Sequence, residues 1–346
     1  MIASIISRYT LTLSDTVAVA DHALSHDSEY NGKGQIVLPR KPVAEEDDFI
    51  LLHDGGLVYQ GIISEIENAD GHNAYTITAV EMPRLFDRKV ILAGENLLAT
   101  GIEDFIADQI RRNFIESEDS LLNIDYLTVT ASSHTPVAAM PETSDGIYNL
   151  CTYLGNALTN YGIFIDFVFS PDGLNVVIEK KEQSQLDIDT SHSYIVNLEE
   201  SYDVQVLAKL TVLWQQEEGS AVKTRHFFLK TDKTITENMN DPDRAKGSVD
   251  VITSTAKTEE ELIQAAHDSF KSNAYQHKIG FDVIPSRMLP ASDLYVGHTC
   301  RVKTGIGIKD SIITAIEQSK STTAISVTLG QMKVTLIEKL KGVEKR

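Results

Sequence analysis

Cysteine is scarce in this chain, whose 346 residues include only Cys151 and Cys300. Each lies in an apolar segment, and neither has a neighbour at the spacing of a metal-binding pair. A disulfide framework of the kind that small secreted domains use is therefore excluded, and two buried free thiols are favoured.

Long apolar runs are also missing. No stretch reaches the roughly 18 residues that a membrane-spanning helix requires, although 42% of the residues are hydrophobic. Arg8 stands where a secretory signal would have its apolar core, so we expect no export signal. We expect a folded protein made in a cytoplasm, without membrane insertion and with about two to four domains for this length.

Basic residues are outnumbered, because the chain has 31 Lys and Arg residues and 50 Asp and Glu residues, giving a net charge of -19. Affinity for a phosphate backbone comes mainly from cationic side chains, so this balance argues against gripping nucleic acid. An acidic wall would instead let DNA slide past without adhering. The acidic run from Glu45 to Asp48 is typical of a solvated face, and the lining of a DNA channel is our alternative hypothesis for it.

Catalytic motifs are absent: the sequence has no GxSxG, HExxH or CxxC and no glycine loop in the context of a phosphate site. We therefore predict no catalytic, cofactor-binding or metal-binding residues, no cofactor and no enzymatic activity. His22 and His26, four residues apart, are a weak metal candidate because no third ligand accompanies them.

Other polar residues have an ordinary structural interpretation beside a functional one. Four of them resemble the start of a calcium loop, but its twelfth position would be Leu38, so a polar turn is favoured; the four are Asp27, Glu29, Asn31 and Gly32. Asp166 lies in an apolar strand without a partner acid, which favours a solvent-facing position over acid catalysis. Cys151 adjoins an apolar helical stripe and is predicted to be a packing residue.

A β-meander is predicted from Phe49 to Glu81, where β-rich segments are separated by glycine turns after Asp54 and Asp70. A second copy of this pattern lies near the C-terminus. Gly61–Met82 aligns with Ser311–Met332 at an offset of 250 residues, and seven of the 21 positions from residue 62 onward are identical.

The repeat carries the fold prediction. Chance similarity is the alternative, because strands draw on few residue types. The match nevertheless continues without a gap through a turn and two strands, and a one-residue slip would reverse every face. It therefore favours two similar β-modules, whose segments Ile62 to Thr78 and Ile312 to Thr328 would carry the interfaces.

Between the two copies the apolar spacing becomes helical. Residues 100–113, 144–161 and 258–274 are predicted helices, the second with Ser144 as its N-cap and Gly162 as its C-terminal glycine. A hairpin with its turn at Pro171-Asp172-Gly173 follows the second helix.

We predict an α+β, mainly β chain, with two similar antiparallel β-barrel modules plus two smaller, discontinuous α+β domains. The expected boundaries are 1–96 for the first barrel, 97–190 for an α+β domain, 191–213 with 276–334 for the second barrel, and 214–275 with 335–346 for the other α+β domain.

The late module resembles the closing module of tail hub proteins from tailed phages and prophages. In SRMLPASDLYVGHTCRVKT, four residues match that family's pattern, while His298 replaces its usual acid; the matches are Asp293, Leu294, Gly297 and Val302. The early module is similar to the family's first module at Gly61, Ile63, Leu85 and Arg88.

This resemblance implies a baseplate or tail-tip hub in the virion tail. Such a protein is expected to be a homotrimer that caps the tail tube, adapts six-fold to three-fold symmetry, contacts neighbouring tail tube and tail-tip proteins, and lets DNA pass without binding it. Two alternatives stay open: a prophage tail endopeptidase or lysin acting on cell wall, and a host-receptor or glycan-binding tail module. The single tryptophan, Trp214, gives the last little support.

Overall fold

The computed structural model describes residues 1–68, 74–91, 101–136, 147–202, 206–215, 220–254, 256, 258–271 and 277–330. Most regular structure in these ranges is β, with three α-helices among many short strands. No helix in the described ranges is long and apolar enough to cross a bilayer.

The first β-module is an antiparallel array in which the strand order is β3-β4-β7-β6-β5-β1-β2. Its strands are β1 (Ile2–Ile6), β2 (Leu13–Ala18), β3 (Asp21–Asp27), β4 (Lys33–Leu38), β5 (Phe49–His53), β6 (Leu57–Glu67) and β7 (Tyr75–Glu81). The predicted glycine turn between β5 and β6 is present, with Gly55 at a φ of 74°. Alternation places Ile36 and Ile77 in a buried core, while Lys33 and Gln35 face solvent.

The second β-module repeats part of this arrangement. Its strands are β13 (Leu186–Asp189), β14 (Ile195–Tyr202), β19 (His277–Val283), β20 (Thr299–Thr304), β21 (Gly307–Ser319) and β22 (Ile325–Leu329). The order is β14-β19-β22-β21, with β20 pairing β21 and β13 pairing β20. The modules differ beside β5 and β20, because β1 pairs β5 antiparallel and β13 pairs β20 parallel.

The pairing register of the two modules agrees at the offset seen in the sequence. Ile63 faces Ala79 and Ile313 faces Leu329, each 250 residues apart, and both registers shift immediately afterwards at a β-bulge. Asp47 and Gly297, which precede β5 and β20, both have positive φ, at 71° and 93°. A shared bulge and a shared turn conformation are not features that chance similarity of strand composition produces.

We expected two closed barrels, and no closed sheet forms among the described strands. The reason is that β3 of the first module pairs antiparallel with the second half of β21. This pairing joins the modules edge to edge into one open sheet of 13 strands.

An α+β unit packs against the first module. It contains β8 (Lys89–Ile91), α1 (Ile102–Ile110), β9 (Leu127–Ala131), β10 (Ile147–Asn149), α2 (Leu150–Tyr161), β11 (Ile163–Ser170) and β12 (Gly173–Lys180). Its apolar core is continuous with that of the module, since Phe86 after β7 stacks on Phe167 of β11 with ring centroids 6.0 Å apart. The predicted boundary at residue 96 therefore does not coincide with a gap in the core, and the domain limits stay predictions.

The helices begin later than predicted. The N-cap of α2 is Asn149, whose side chain accepts from the amide of Thr152 at 3.1 Å, because Ile147–Asn149 is extended and pairs with β8. Ser144, the predicted cap, lies outside the described residues. Gly162 ends the helix in the left-handed conformation with φ 70°, which confirms that prediction.

A fourth unit has its own core. It contains β15 (Leu207–Trp214), β16 (Lys223–Leu229), β17 (Ile235–Thr236), β18 (Ser248–Ser254) and α3 (Glu259–Lys271), with the strand order β17-β16-β15-β18. Leu262, Ala266 and Phe270 of the helix cover the sheet. Trp214 is buried there and donates its indole N–H to the carbonyl of Ala256 at 2.6 Å, so it offers no exposed ring for a glycan.

Candidate assembly interface

The joint between the two modules is the most distinctive construction in the molecule, and we call it the β3–β21 joint. Ala23 to Asp27 pair with Ser319 to Ala315 in an antiparallel ladder. Two backbone bonds extend it, from the Ser28 amide to the Thr314 carbonyl at 2.8 Å and from the Lys320 amide to the His22 carbonyl at 3.0 Å. The Lys320 ammonium also donates to the Ala20 carbonyl at 2.5 Å. Two sheet edges far apart in sequence are thus closed against each other.

The bulge is the feature that makes this joint possible. In β6 the Ser64 hydroxyl donates to the Thr78 carbonyl at 3.0 Å. In β21 the Thr314 hydroxyl lies 3.3 Å from the Thr328 carbonyl and donates to the Gly330 carbonyl at 2.7 Å. A bulge bends its strand and increases the local twist. Beyond it, β21 has left β20, and the edge that faced β20 pairs with β3 while β22 keeps the opposite edge.

A buried carboxylate fixes the turn that follows β3. Glu81 of β7 is 7% exposed and accepts hydrogen bonds from the Gly32 amide at 3.1 Å and the Asp27 amide at 3.3 Å. Its second oxygen lies 3.0 Å from Nδ1 of His26. Burial raises the pKa of Glu81, and the hydrogen bond from His26 opposes that effect. One side chain therefore positions both ends of the turn beside the joint.

Two sheet edges correspond to the strands of the β3–β21 joint and lie elsewhere in the chain. The 13-stranded sheet ends at β14, which occupies beside β19 the place that β3 occupies beside β4. Ser64 to Glu67 of β6 pair with β7, and among the described strand pairings none covers their other edge. These two stretches are the counterparts of β3 and of the second half of β21.

The outer strand of the first module, β2, is blocked. The carboxylate of Asp15 accepts from the amides of Thr16 and Val43 at 2.8 and 2.9 Å and receives two donors of Arg40 at 2.6 and 2.7 Å. The hydrogen bond from Arg40 lowers the pKa of Asp15 to about 2. Such charged cover on an outer strand discourages further strand addition.

The histidines of the predicted metal pair lie in β3 but do not form a site. His26 contacts Glu81, whereas Nδ1 of His22 is buried without a hydrogen-bond partner among the described residues, and burial lowers the pKa of His22. In the part of the chain that the structure describes, no three His, Cys, Asp or Glu side chains are grouped as metal ligands. The calcium-like sequence is a turn in which Asp27 accepts from the amides of Glu29 and Asn31 at 2.8 and 3.1 Å.

Other singled-out residues have structural partners. Asp166 forms an ion pair with Lys181 at 2.5 Å on the surface. Cys151 and Cys300 are buried, and burial raises the pKa of their thiols to about 11 and about 12, so neither is a reactive thiolate at neutral pH.

The acidic run is not one solvated face, which corrects the prediction from sequence. Asp48 is buried and accepts from the amides of Arg8 and Glu45 at 3.0 and 2.9 Å. Asp47 forms an ion pair with Arg8 at 3.2 Å. Only Glu45 and Glu46 face solvent without such a partner among the described residues. The run is mainly a turn that anchors the chain before β5.

Comparison with solved structures decides the fold. The chain aligns with a prophage tail protein of Listeria monocytogenes at a TM-score of 0.58 and 10% identity, covering 99% of this chain and 98% of that one. It aligns with a tail protein of Neisseria meningitidis at 0.56 and 11% identity, covering 95% and 96%. This chain has the fold of phage and prophage tail proteins.

A third structure of the tail-protein fold, the 43 kDa tail protein of prophage MuSo2 from Shewanella oneidensis, aligns at a TM-score of 0.54 and 11% identity, covering 96% of this chain and 99% of that one. The resemblance predicted from sequence is confirmed at the level of fold. No family model matches the chain, and no curated protein matches it by sequence.

Proposed function

We propose that the protein is a structural component of a phage or prophage tail, located in the virion as a baseplate or tail-tip hub. In this proposal three copies form a ring in which each copy contributes two β-modules. The ring caps the six-fold tail tube, presents three-fold symmetry to the tail tip and lets DNA pass. Its function is assembly, with no catalytic set of residues.

The β3–β21 joint is the observation that carries the proposal. It joins the first module to the second through β3 and the second half of β21. The counterparts of these strands in the same chain are β14, which ends the sheet, and the end of β6, whose edge away from β7 pairs with no described strand. Placing β14 of one copy on β6 of the next would repeat the joint with the same strand directions. Repeated over three copies, the operation gives six modules in a closed ring.

The solvent-facing side of the sheet supports the passage of DNA. In both modules it carries hydroxyl, amide and charged side chains, represented by Gln35 and Thr78 in the first module and Ser326 and Thr328 in the second. Lys33 and Lys278 also lie on this face, one in each module, while the net charge of -19 disfavours retention of a phosphate backbone.

Cysteine cross-linking tests the ring. The repeat aligns Glu67 with Glu317. The pairing registers of the two modules place Ser201 of β14 at the position of Ser25 in β3, which faces Glu317 across the joint. We expect the double variant Glu67→Cys with Ser201→Cys to form disulfides between copies and to yield covalent trimers on a non-reducing gel at high protein concentration. The native thiols are buried, which limits side reactions.

The chain supplies a matched control. Ser25→Cys with Glu317→Cys occupies the same geometry within one copy and should form an intrachain disulfide at any protein concentration. The ring would be refuted if this control cross-links efficiently while the cysteines introduced in place of Glu67 and Ser201 form no bond between copies at any concentration.

A further inference from the structure

The β3–β21 joint carries little net repulsion. Across it, Glu317 faces Ser25, and Asp27 faces Ala315. The carboxylate of Asp27 turns away to accept backbone amides of its own turn. Lys320 lies at the end of the ladder and its ammonium reaches across to β3. The contact within one copy therefore has one cation for its two carboxylates, one of which is held in its own turn.

The counterpart contact between copies has a different composition. The aligned positions place Glu65 and Glu67 of β6 on the same face as Glu199 and Ser201 of β14. The three glutamates are exposed, and none forms an ion pair among the described residues. In the repeat alignment Lys320 corresponds to Asp70 in the sequence, so the lysine of the first joint has no basic equivalent.

Two described cations lie near these strands, and one of them, Arg8, is already paired with Asp47 at 3.2 Å beside Ile63 of β6. Lys278 pairs with Ser201 across β14 and β19, one strand farther from β6. It is thus separated from the β6 glutamates by the whole width of β14, whereas Glu199 belongs to the contacting strand itself. Like charges that face each other directly or diagonally across a strand pair are destabilising.

We propose that carboxylate repulsion at the β6–β14 contact restrains ring closure, so that copies associate only where cations screen or neutralise these glutamates. This inference rests on the proposed function and adds electrostatic regulation of assembly to it. Exposed charges interact over about 30 Å at 0.01 M salt but only about 8 Å at 0.15 M and about 3 Å at 1 M. Association should therefore tighten as ionic strength rises, and a subunit would stay single until the tail supplies countercharge.

Sedimentation equilibrium at 20 and 500 mM NaCl tests the proposal on the full chain. For the native protein we expect the apparent association constant to rise by at least about tenfold between the two salts. The triple variant Glu65→Gln, Glu67→Gln and Glu199→Gln should associate at 20 mM as tightly as the native protein does at 500 mM. Its remaining response to salt should be small.

A charge-matched variant provides the control. Glu116→Gln, Glu118→Gln and Glu260→Gln remove the same number of exposed carboxylates outside β6, β14 and the turn before β5 and should keep the native salt response. Equal association at both salts for the native protein, or equal behaviour of the two triple variants, would overturn the inference. Circular dichroism confirms that both variants fold.

The two proposals fail in different ways. Cysteine cross-linking between copies that proceeds equally at low and high salt would refute the charge restraint but not the ring. If the copies neither associate at any salt concentration nor cross-link with each other, the proposed ring is refuted as well.

Discussion

At the scale of one residue, the hydrogen-bond partners of Glu81 illustrate what the sequence alone does not reveal. A charged glutamate is expected to face solvent, yet the alternation of β7 places Glu81 on the inward face of Ile77 and Ala79, where it receives two backbone amides and His26. The pattern of apolar residues gives its direction but not its partners, because one of these amides belongs to Gly32, 49 residues away in the chain.

The raised pKa of Glu81 gives a pH prediction with an unusual sign. Because burial disfavours the carboxylate in the folded state, ionisation of Glu81 lowers the free energy of unfolding as pH rises from its unfolded pKa to its folded one. Glu81→Gln removes this loss. We expect the unfolding free energy of the variant, relative to the native protein, to increase between pH 4.5 and 8, by about 1.4 kcal/mol for each unit of pKa shift.

Urea unfolding of both proteins across that range measures the difference, in which titrating groups that do not contact Glu81 cancel. His26→Gln in both proteins removes the imidazole that contacts Glu81. Glu67→Gln, at an exposed position, is the control and should give a difference independent of pH. A difference for Glu81→Gln that decreases with pH would mean that the hydrogen bonds outweigh the burial of the charge.

At the scale of elements, the turn between β3 and β4 connects three parts of the fold. Its Ser28 amide bonds Thr314 of the second module, and its Ser28 carbonyl would lie 2.4 Å from a Cβ added at Gly155 of α2. Gly32 ends the turn, where an added Cβ would approach the Ser25 carbonyl oxygen to 2.3 Å. The turn therefore has no room to shift without disturbing the β3–β21 joint.

Gly32→Ala should destabilise the protein by about 1 to 3 kcal/mol, because overpacking against backbone forces the turn to move. Thermal or urea unfolding measures the change. Gly56→Ala, where an added Cβ meets nothing within 4 Å, is the matched control and should change stability by about 0.5 kcal/mol or less. Equal effects of the two substitutions would show that the turn is not tightly constrained.

Local signals explain which elements could be predicted from sequence. The Asp54-Gly55 turn, the repeat and the C-terminal Gly162 each depend on residues close together in the chain. The joint between β3 and β21 depends on a strand edge meeting another almost 300 residues later, as Ala23 meets Ser319, and neither edge carries a marker of its partner. The helix start was predicted too early for a related reason, because Ile147–Asn149 pairs with β8, a strand about 60 residues earlier in the chain, and the helix begins only after it.

At the scale of the whole molecule, cores rather than predicted boundaries define what unfolds together. The first module and the α+β unit share one apolar cluster, and the second module is tied to them by the β3–β21 ladder. The unit around Trp214 and Phe270 has a separate cluster. Cooperative unfolding should follow these connections.

Native-state hydrogen exchange in increasing denaturant should therefore give two groups of amides. We expect those of β6 and β21 to converge on one unfolding event and those of β15 to exchange through another with a smaller free energy. A single common event for all three strands would show that the fourth unit is coupled to the rest as strongly as the modules are to each other.

The difference between β1 and β13 has a consequence for any neighbouring protein that binds the ring proposed above. The five-strand pattern that runs from β3 to β5 recurs from β14 to β20, whereas the strand added next runs antiparallel in one module and parallel in the other. In the proposed ring, a protein that binds the recurring strands would find six nearly equivalent binding positions. In the proposed ring, a protein that contacts β1 and β13 would find two different kinds of binding position, three of each.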